Sequence, residues 1–457
     1  MFKKAVCIMI SIILILSFTA CDSDGLDITD DGEVIEVKQD VTLSVWIMAN
    51  SEDSRKDFMD VIRPFTNANP HIKIEPTVLN LNRAFTKITE AGKSGELPDV
   101  IQLDTDWVAA ISSLDMLADV KEEIDTDIFL DNVLNANRDT LVAVPWFVET
   151  RALFYRKDAC EKAEVDPQKD FSTWNTFKEA LKKLNNIEID NEELPALGVP
   201  GPNDWNVVNN FSWWIYSAGG NFLNIDSSRS AFNSEASLEG IKFYTELAVE
   251  GLIDKASLGK NSAEIETTFI NGGYATAFLD SSVINKLEKR IDEENEDEEN
   301  EDEENDEESI LTDNIGVAMV PAGPKGRAAF LGGSSLAVSK LSENKETAIE
   351  LINFLVSKEA QIAYANTTGK MPVSKEAYED AFFNDHPLRS VFKRQIEYAK
   401  PYPSVILWGP IEACLKQGFE RIWENVLDEE ENAYSFNRTK SIVEETHDLI
   451  NVVLEAE

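Results

Sequence analysis

Cysteine and histidine are scarce in this 457-residue chain, with four of the first and three of the second. Cys7 and Cys21 lie close to the start, which leaves Cys160 and Cys414; His71, His386 and His447 stand far apart. No zinc-ligand spacing arises, so neither a metal site nor a cofactor is expected. In an exported chain Cys160 and Cys414 either pair or stay free, and sequence separation decides neither. Basic residues are few as well: 42 Lys and Arg against 84 Asp and Glu give a net charge of -42. Nucleic-acid binding needs a basic footprint and is excluded. The chain has no G-x-S-x-G nucleophile element. Past residue 20, no apolar run reaches the ~20 residues that span a bilayer.

What is present begins at the N-terminus. Lys3 and Lys4 precede an uncharged apolar run, Ala5–Leu16, followed by Thr19, Ala20 and Cys21. This is the layout of a secretory signal peptide over residues 1–20. A Cys directly after small residues resembles a bacterial lipobox, although Phe18 stands where an aliphatic residue is usual. Lipidation of Cys21 would anchor a monomer to the outer face of the cytoplasmic membrane, with polar residues 21–40 as a flexible tether. The alternative is plain cleavage near Ala20. Residues 292–308 hold 14 acids among 17 residues. Such a tract repels itself and has nothing to bury, so 288–309 is expected to be a disordered, solvated insertion. It lacks the Gly-punctuated pattern of a calcium loop.

Between these ends the pattern is α/β. VTLSVWIMA, HIKIEPTVL and DVIQL read as strands. Phe58, Val61, Ile62 and Phe65 mark one helical face between them, and Phe85, Ile88 and Ala91 mark another. Strands alternating with helices imply a parallel sheet with crossovers. A second unit starts near Pro145, with helices around Trp174–Leu184 and Glu239–Val249 and strands YATAFL and NIGVAMVP. Helices from Lys345 and Glu359 follow, then an apolar stripe of Ile411, Leu415, Phe419 and Ile422.

An ordered set of segments then resembles one family, the bacterial extracellular solute-binding proteins of family 1, the carbohydrate-binding group that includes maltose-binding protein. The segments include VWIMANSEDSRKDFMDVIRPFTNANP, GELPDVIQLDTDWVAAI, AVPWFVETRALFYRKD, SWWIYSAGGNFLN, FLGGSSLAVSK, AIELINFLVSKEAQIAYANTTGKMPVS and YPSVILWGP. The resemblance implies a two-lobed clamp of the periplasmic-binding-protein kind (type II), each lobe a sheet flanked by helices. It implies hinge crossings after Glu149, near Val317–Gly323 and around Gly369–Ser374. Lobe one would be 41–150 plus 322–371, and lobe two 151–321 plus 372–457. The implied role is capture of a mono- or oligosaccharide for the permease subunits of an ABC importer, without catalysis.

A sugar site needs aromatic planes for C–H faces and fixed polar groups for the hydroxyl rim. Trp46 and Asn50 end the first strand, and Arg83 opens the second helix. Asp104, Asp106 and Trp107 follow DVIQL, where open α/β sheets bind ligands; Asp is also a good helix N-cap. In PWFVETR, Trp146, Glu149 and Arg151 sit at the implied first crossing, with Glu149 bonding a hydroxyl, pairing with Arg151, or both. Asn209 and one of Trp213 and Trp214 are candidates, because adjacent residues on a helix cannot face one way. Asp280 closes YATAFL, where the family's Gly-Pro-Trp is replaced by DSSV. Gly333 would allow close backbone approach. Trp408 matches the late stacking Trp of maltose binders. Two rival functions are a glycoside hydrolase using a pair from Asp104, Asp106 and Glu149, and a structural or adhesive surface lipoprotein.

Overall fold

The computed structural model describes residues 26–28, 34–36, 39–134, 140–189, 191–298, 314–428 and 434–456. Strand β1 (Val41–Met48) turns Leu43, Val45 and Ile47 into the core. Helix α1 (Ser54–Ala68), capped by Asp53, buries Phe58, Val61, Ile62 and Phe65, the face its spacing predicts. Next, β2 (Ile72–Leu79) pairs parallel with β1. Helix α2 (Leu81–Ser94) ends at Gly95, whose φ of 74° is the left-handed stop that favours glycine. Its buried face is Ala84, Ile88 and Ala91, and Phe85 is 38 % exposed. Ile88 and Ala91 are buried as expected, and the small Ala84 takes the place of Phe85 against the core. Strands β3 (Val100–Asp104) and β4 (Val144–Glu149) complete this stretch, β3 parallel to β1.

The chain then builds a second sheet. In order come β5 (Ala152–Arg156), α3 (Trp174–Leu184), β6 (Leu197–Gly198), α4 (Val207–Ser217), α5 (Glu235–Val249), β7 (Thr276–Leu279), α6 (Ser282–Glu298) and β8 (Ile315–Ala318). Short β9 (Ala329–Phe330) leads to β10 (Gly332–Val338), α7 (Lys345–Leu355), α8 (Lys358–Thr368) and β11 (Met371–Pro372). The chain closes with β12 (Ala399–Lys400), α9 (Trp408–Leu427) and α10 (Phe436–Glu455). The first sheet runs β11-β4-β10-β3-β1-β2 and the second β6-β7-β5-β8, while β9 and β12 form a parallel ribbon apart. The chain therefore leaves the first sheet after Glu149, returns at Gly332 and leaves again after Pro372. No helix among the described residues is long and apolar enough to cross a membrane.

Every residue of α4 is buried. It packs against α5, α9 and β9, with Phe211 stacked on Phe419 at 4.1 Å and Trp214 on Tyr244 at 5.4 Å. Two expectations about irregular regions change. The acidic insertion does not start as a loop, because α6 runs through Glu298. Val283, Ile284 and Leu287 anchor that helix in the core, and Glu288 is bound by His386 (3.0 Å) and Arg389. The rest of the insertion, 299–309, lies outside the described residues. Within the expected tether, Leu26–Ile28 pairs antiparallel with Val34–Glu36. The signal segment and Cys21 lie outside the described residues. Cys160 and Cys414 are free thiols, and burial pushes Cys160 up to about 12.

Candidate functional site

Strand register gathers the chemistry at one end of each sheet. In the first sheet Gly332 faces Glu149 and Ser334 faces Asp104, so the ends of β3 and β4 meet the start of β10. In the second, Ala152 faces Leu279, which sets Arg151 and Asp280 side by side just beyond the strands. Their ion pair measures 2.6 Å. Glu149, two residues before Arg151, pairs instead with Lys370. Opposite ends of the crossing thus take separate partners. Burial would raise the Asp280 carboxyl, but Arg151, Lys370 and the Ser282 hydrogen bonds outweigh it and hold Asp280 well below the usual range. Burial would likewise lower Arg151 and Lys370, and their carboxylate neighbours reverse it.

A second cluster has no such balance. Asp104 accepts the amide hydrogen of Asp106 (3.3 Å) and so caps the single turn Thr105–Trp107. That turn packs against α9 of the other lobe, which brings Glu412 toward both aspartates. Burial first, then Glu149 and Glu412, push Asp104 up to about 7. Burial, Asp104 and Glu412 raise Asp106 well above its ordinary value. Burial also raises Glu412, with Lys416 one turn along opposing it. Beside Asp106 is a cavity of about 240 Å³, walled by Phe147 and Gly332 on one side and by Pro401 and Tyr402 on the other. Tyr402 donates its hydroxyl to Asn209, whose own amide holds Asn206 at 2.8 Å.

Asp104, Asp106, Glu149, Arg151 and Asp280 therefore form a chain of charged neighbours, and Asn209 is tied through Tyr402 to the cavity beside Asp106. Asn50 stands at the rim of β1 with its amide held by Gln102 (3.0 Å) and the Tyr364 hydroxyl (2.9 Å). Trp46 is half-buried beneath the Lys87 ammonium, 4.5 Å from the ring centre. Trp107 packs edge-on against Phe85 at 5.6 Å, beside the exposed Arg83.

Four aromatic candidates and one glycine are packed into the interior. Trp146 is wholly buried between Phe58, Phe147 and Tyr364, because alternation along β4 turns it under the sheet. Trp213 and Trp214 both lie in the core of the second lobe, since α4 has no exposed face to divide them. Trp408 is 1 % exposed, covered by Tyr402 at 4.5 Å and Phe222 at 6.0 Å. Gly333 has φ 136°, and a side chain there would strike the Phe147 carbonyl. Its missing Cβ serves strand packing.

Sequence reasoning missed Lys370, Glu412, Tyr402 and Trp205. Lys370 lies within the quoted TTGKMPVS, at an expected crossing, so a charge at a hinge was the available signal. Glu412 interrupts the apolar stripe of α9. Trp205 is 58 % exposed, an unusual exposure for tryptophan. It follows Asp204, which is pinned by Ser262 (2.6 and 2.9 Å) and lies close enough to raise Arg151. Its signal was a large aromatic inside the turn sequence GPNDWN.

A family profile described as bacterial extracellular solute-binding protein matches residues 60–391. The sn-glycerol-3-phosphate-binding periplasmic protein UgpB of Escherichia coli is 24% identical over 388 residues, 79% of this chain and 82% of that protein. Among solved structures, the sugar-binding protein MalE from Xanthomonas citri superposes with a TM-score of 0.73 at 22% identity, covering 91% of this chain and 98% of that one. Maltose-bound MalE3 of T. maritima gives 0.70 at 23% identity, covering 90% and 100%. UgpB from Mycobacterium tuberculosis in complex with glycerophosphocholine gives 0.71 at 19% identity, covering 91% and 98%.

Proposed function

Since the chain belongs to the bacterial extracellular solute-binding proteins, we propose that it is the carbohydrate receptor of an ABC importer. It captures a mono- or oligosaccharide between its lobes and hands it to membrane permease subunits. One observation carries the reading: fixed carboxylates and a guanidinium gather at the ends of both sheets, the Asn209 amide of α4 bonds Tyr402 of the neighbouring cavity, and Trp205 is exposed next to Asp204, a neighbour of Arg151. That is the equipment for a hydroxyl rim and a C–H face. Relatives with this fold include a maltose-bound protein and a sugar-binding MalE. The lobes run 41–150 with 322–371, and 151–321 with 372–457. Ligand touching both lobes favours the closed form by its extra affinity for that form.

Residues 1–20 are removed as a signal peptide, and lipid on Cys21 holds a monomer at the outer face of the cytoplasmic membrane. Mass spectrometry of the membrane-fraction N-terminus tests the anchor, and an unmodified, freely released chain refutes it.

Asp104, raised to about 7, also has the character of a general acid, so the hydrolase alternative is tested directly. The protein is incubated with an oligosaccharide panel, and thermal shift is followed by chromatography of the recovered sugar. The receptor reading expects stabilisation by a subset of the panel and recovery of that sugar intact. Cleavage would support the hydrolase, and no retained sugar would sink both.

A further inference from the structure

Helix α2 carries one aromatic ring and leaves it outside its packed face. That face is Ala84, Ile88 and Ala91, while the Phe85 ring is 38 % exposed. An exposed phenyl forgoes part of the gain that burial gives. Its one aromatic neighbour among the described residues is the half-buried Trp107, 5.6 Å away with the ring planes at 70°. In an edge-to-face pair one ring touches with its edge alone, which leaves both its faces free of that contact.

Both rings stand at the ligand side of the first sheet. Strands β1, β2 and β3 run parallel. Helix α2 opens right after β2, and Trp107 closes the turn right after β3. Open α/β sheets take their ligands at these strand ends. Phe85 lies about 6 Å along α2 from its start. Asp106, beside Trp107 in the chain, borders the cavity of about 240 Å³, and the turn that carries both packs against α9 of the other lobe. Glu149 is set well to one side. Strand β10 lies between β3 and β4, with Ser334 opposite Asp104 and Gly332 opposite Glu149, so the two strand ends are about 10 Å apart. Phe85 belongs to the connection from β2 to β3, on the side of the sheet away from β4. Groups that suit a sugar are thus spread along this rim over more than the width of one ring.

We infer that Phe85 and Trp107 form an aromatic shelf for an outer sugar unit, so that the ligand is an oligosaccharide laid along the rim of the first sheet and not a single monosaccharide at the hinge. The inference rests on the carbohydrate-receptor reading and adds a chain length to it. One unit sits near Glu149. The outer unit lays its C–H face on the shelf and gives its hydroxyls to Asp106.

The test is calorimetric titration of the purified protein with glucose, mannose, galactose and xylose, each beside its α- and β-linked oligomers of two to four units. The expected result is one series whose affinity rises by at least about tenfold from the single sugar to its best oligomer. Phe85→Ala should weaken that oligomer by about 2- to 12-fold and leave the single sugar within about twofold, with the melting temperature of the free protein unchanged. Phe85→Leu, which keeps apolar bulk without a ring plane, should lose the same affinity, and Phe85→Tyr should keep it; this pair separates stacking from packing if the alanine variant folds poorly. A single sugar bound as tightly as its oligomers, or oligomer affinity unmoved in Phe85→Ala and Phe85→Leu, overturns the shelf and leaves the receptor reading standing. No sugar of any length bound overturns both.

Discussion

The charges at the hinge and those of the Asp104, Asp106 and Glu412 cluster include the same acids, Asp and Glu, and they behave in opposite ways. At the hinge each acid has a base: Arg151 with Asp280, Lys370 with Glu149. Across the crevice Asp104, Asp106 and Glu412 press on one another, with Lys416 offsetting Glu412 in part. The difference teaches where each set serves. Paired charges hold their shape with or without ligand and suit a pivot. Clustered acids are pushed toward their protonated forms, in which each carboxyl can both donate to and accept from a hydroxyl.

The sharpest way to break this comparison is to unpair the hinge. Arg151→Met removes the ion-pair partner of Asp280 and leaves it only Lys370 nearby and Ser282, and equilibrium denaturation should show a loss of about 3–5 kcal/mol. Adding Asp280→Leu should restore most of it; if the double variant is no better than the single, the pair is not the source of the loss.

Titration separates the two sets by sign. Folded Asp104 titrates near 7, against about 3.9 unfolded. The folded chain therefore holds the extra proton between those values, and this group adds stability as pH falls from about 7 toward 4. Asp106 acts in the same direction. Asp280 is the reverse: its stabilisation is present above the unfolded value and is lost as pH falls through its lower folded value, below about 4. Melting temperature should rise from pH 8 to pH 5 and fall below pH 4. A flat profile between 8 and 5 would show that burial and the neighbouring acids do not raise these carboxyls.

A smaller effect isolates one acid. Glu412→Gln should stabilise the unliganded protein at pH 8 by up to about 1 kcal/mol, while weakening any sugar that uses this carboxylate. The smallest change in stability belongs to Trp205→Ala, within about 0.5 kcal/mol of wild type as for an exposed side chain. Sugar affinity should nevertheless fall by about 0.5–1.5 kcal/mol if the ring stacks on ligand. Calorimetry alongside thermal melting tells these apart, and unchanged affinity would remove Trp205 from the site.

What could be read from the sequence follows from whether an element has one buried face or several. The stripe Phe58, Val61, Ile62 and Phe65 was legible because α1 buries one side only. The placement of Trp213 and Trp214 was not, because a helix covered on all sides has no periodicity to read. Asp104 was singled out because it follows a strand in an α/β pattern, and Glu149 because the family resemblance implied a crossing there. The pairings were not legible: Lys370 is 221 positions from Glu149 and Asp280 is 129 from Arg151, and local spacing carries no trace of such contacts. Phe85 shows the finer limit, where Ala84 beside it could equally face inward and only packing chose.

The hinge has a mechanical consequence. The Thr150 hydroxyl donates to the Phe330 carbonyl at 2.6 Å, β9 is laced to β12, and Lys370 reaches Glu149. The segments that pass between the lobes are thus fastened to one another across a width instead of acting as separate threads. A lone thread leaves two bodies free to swing, roll and twist. Connections tied side by side suppress roll and twist, and leave swinging about the line that joins them. The two jaws should therefore trace a single arc, and spin-label distances across the crevice should vary together along one coordinate.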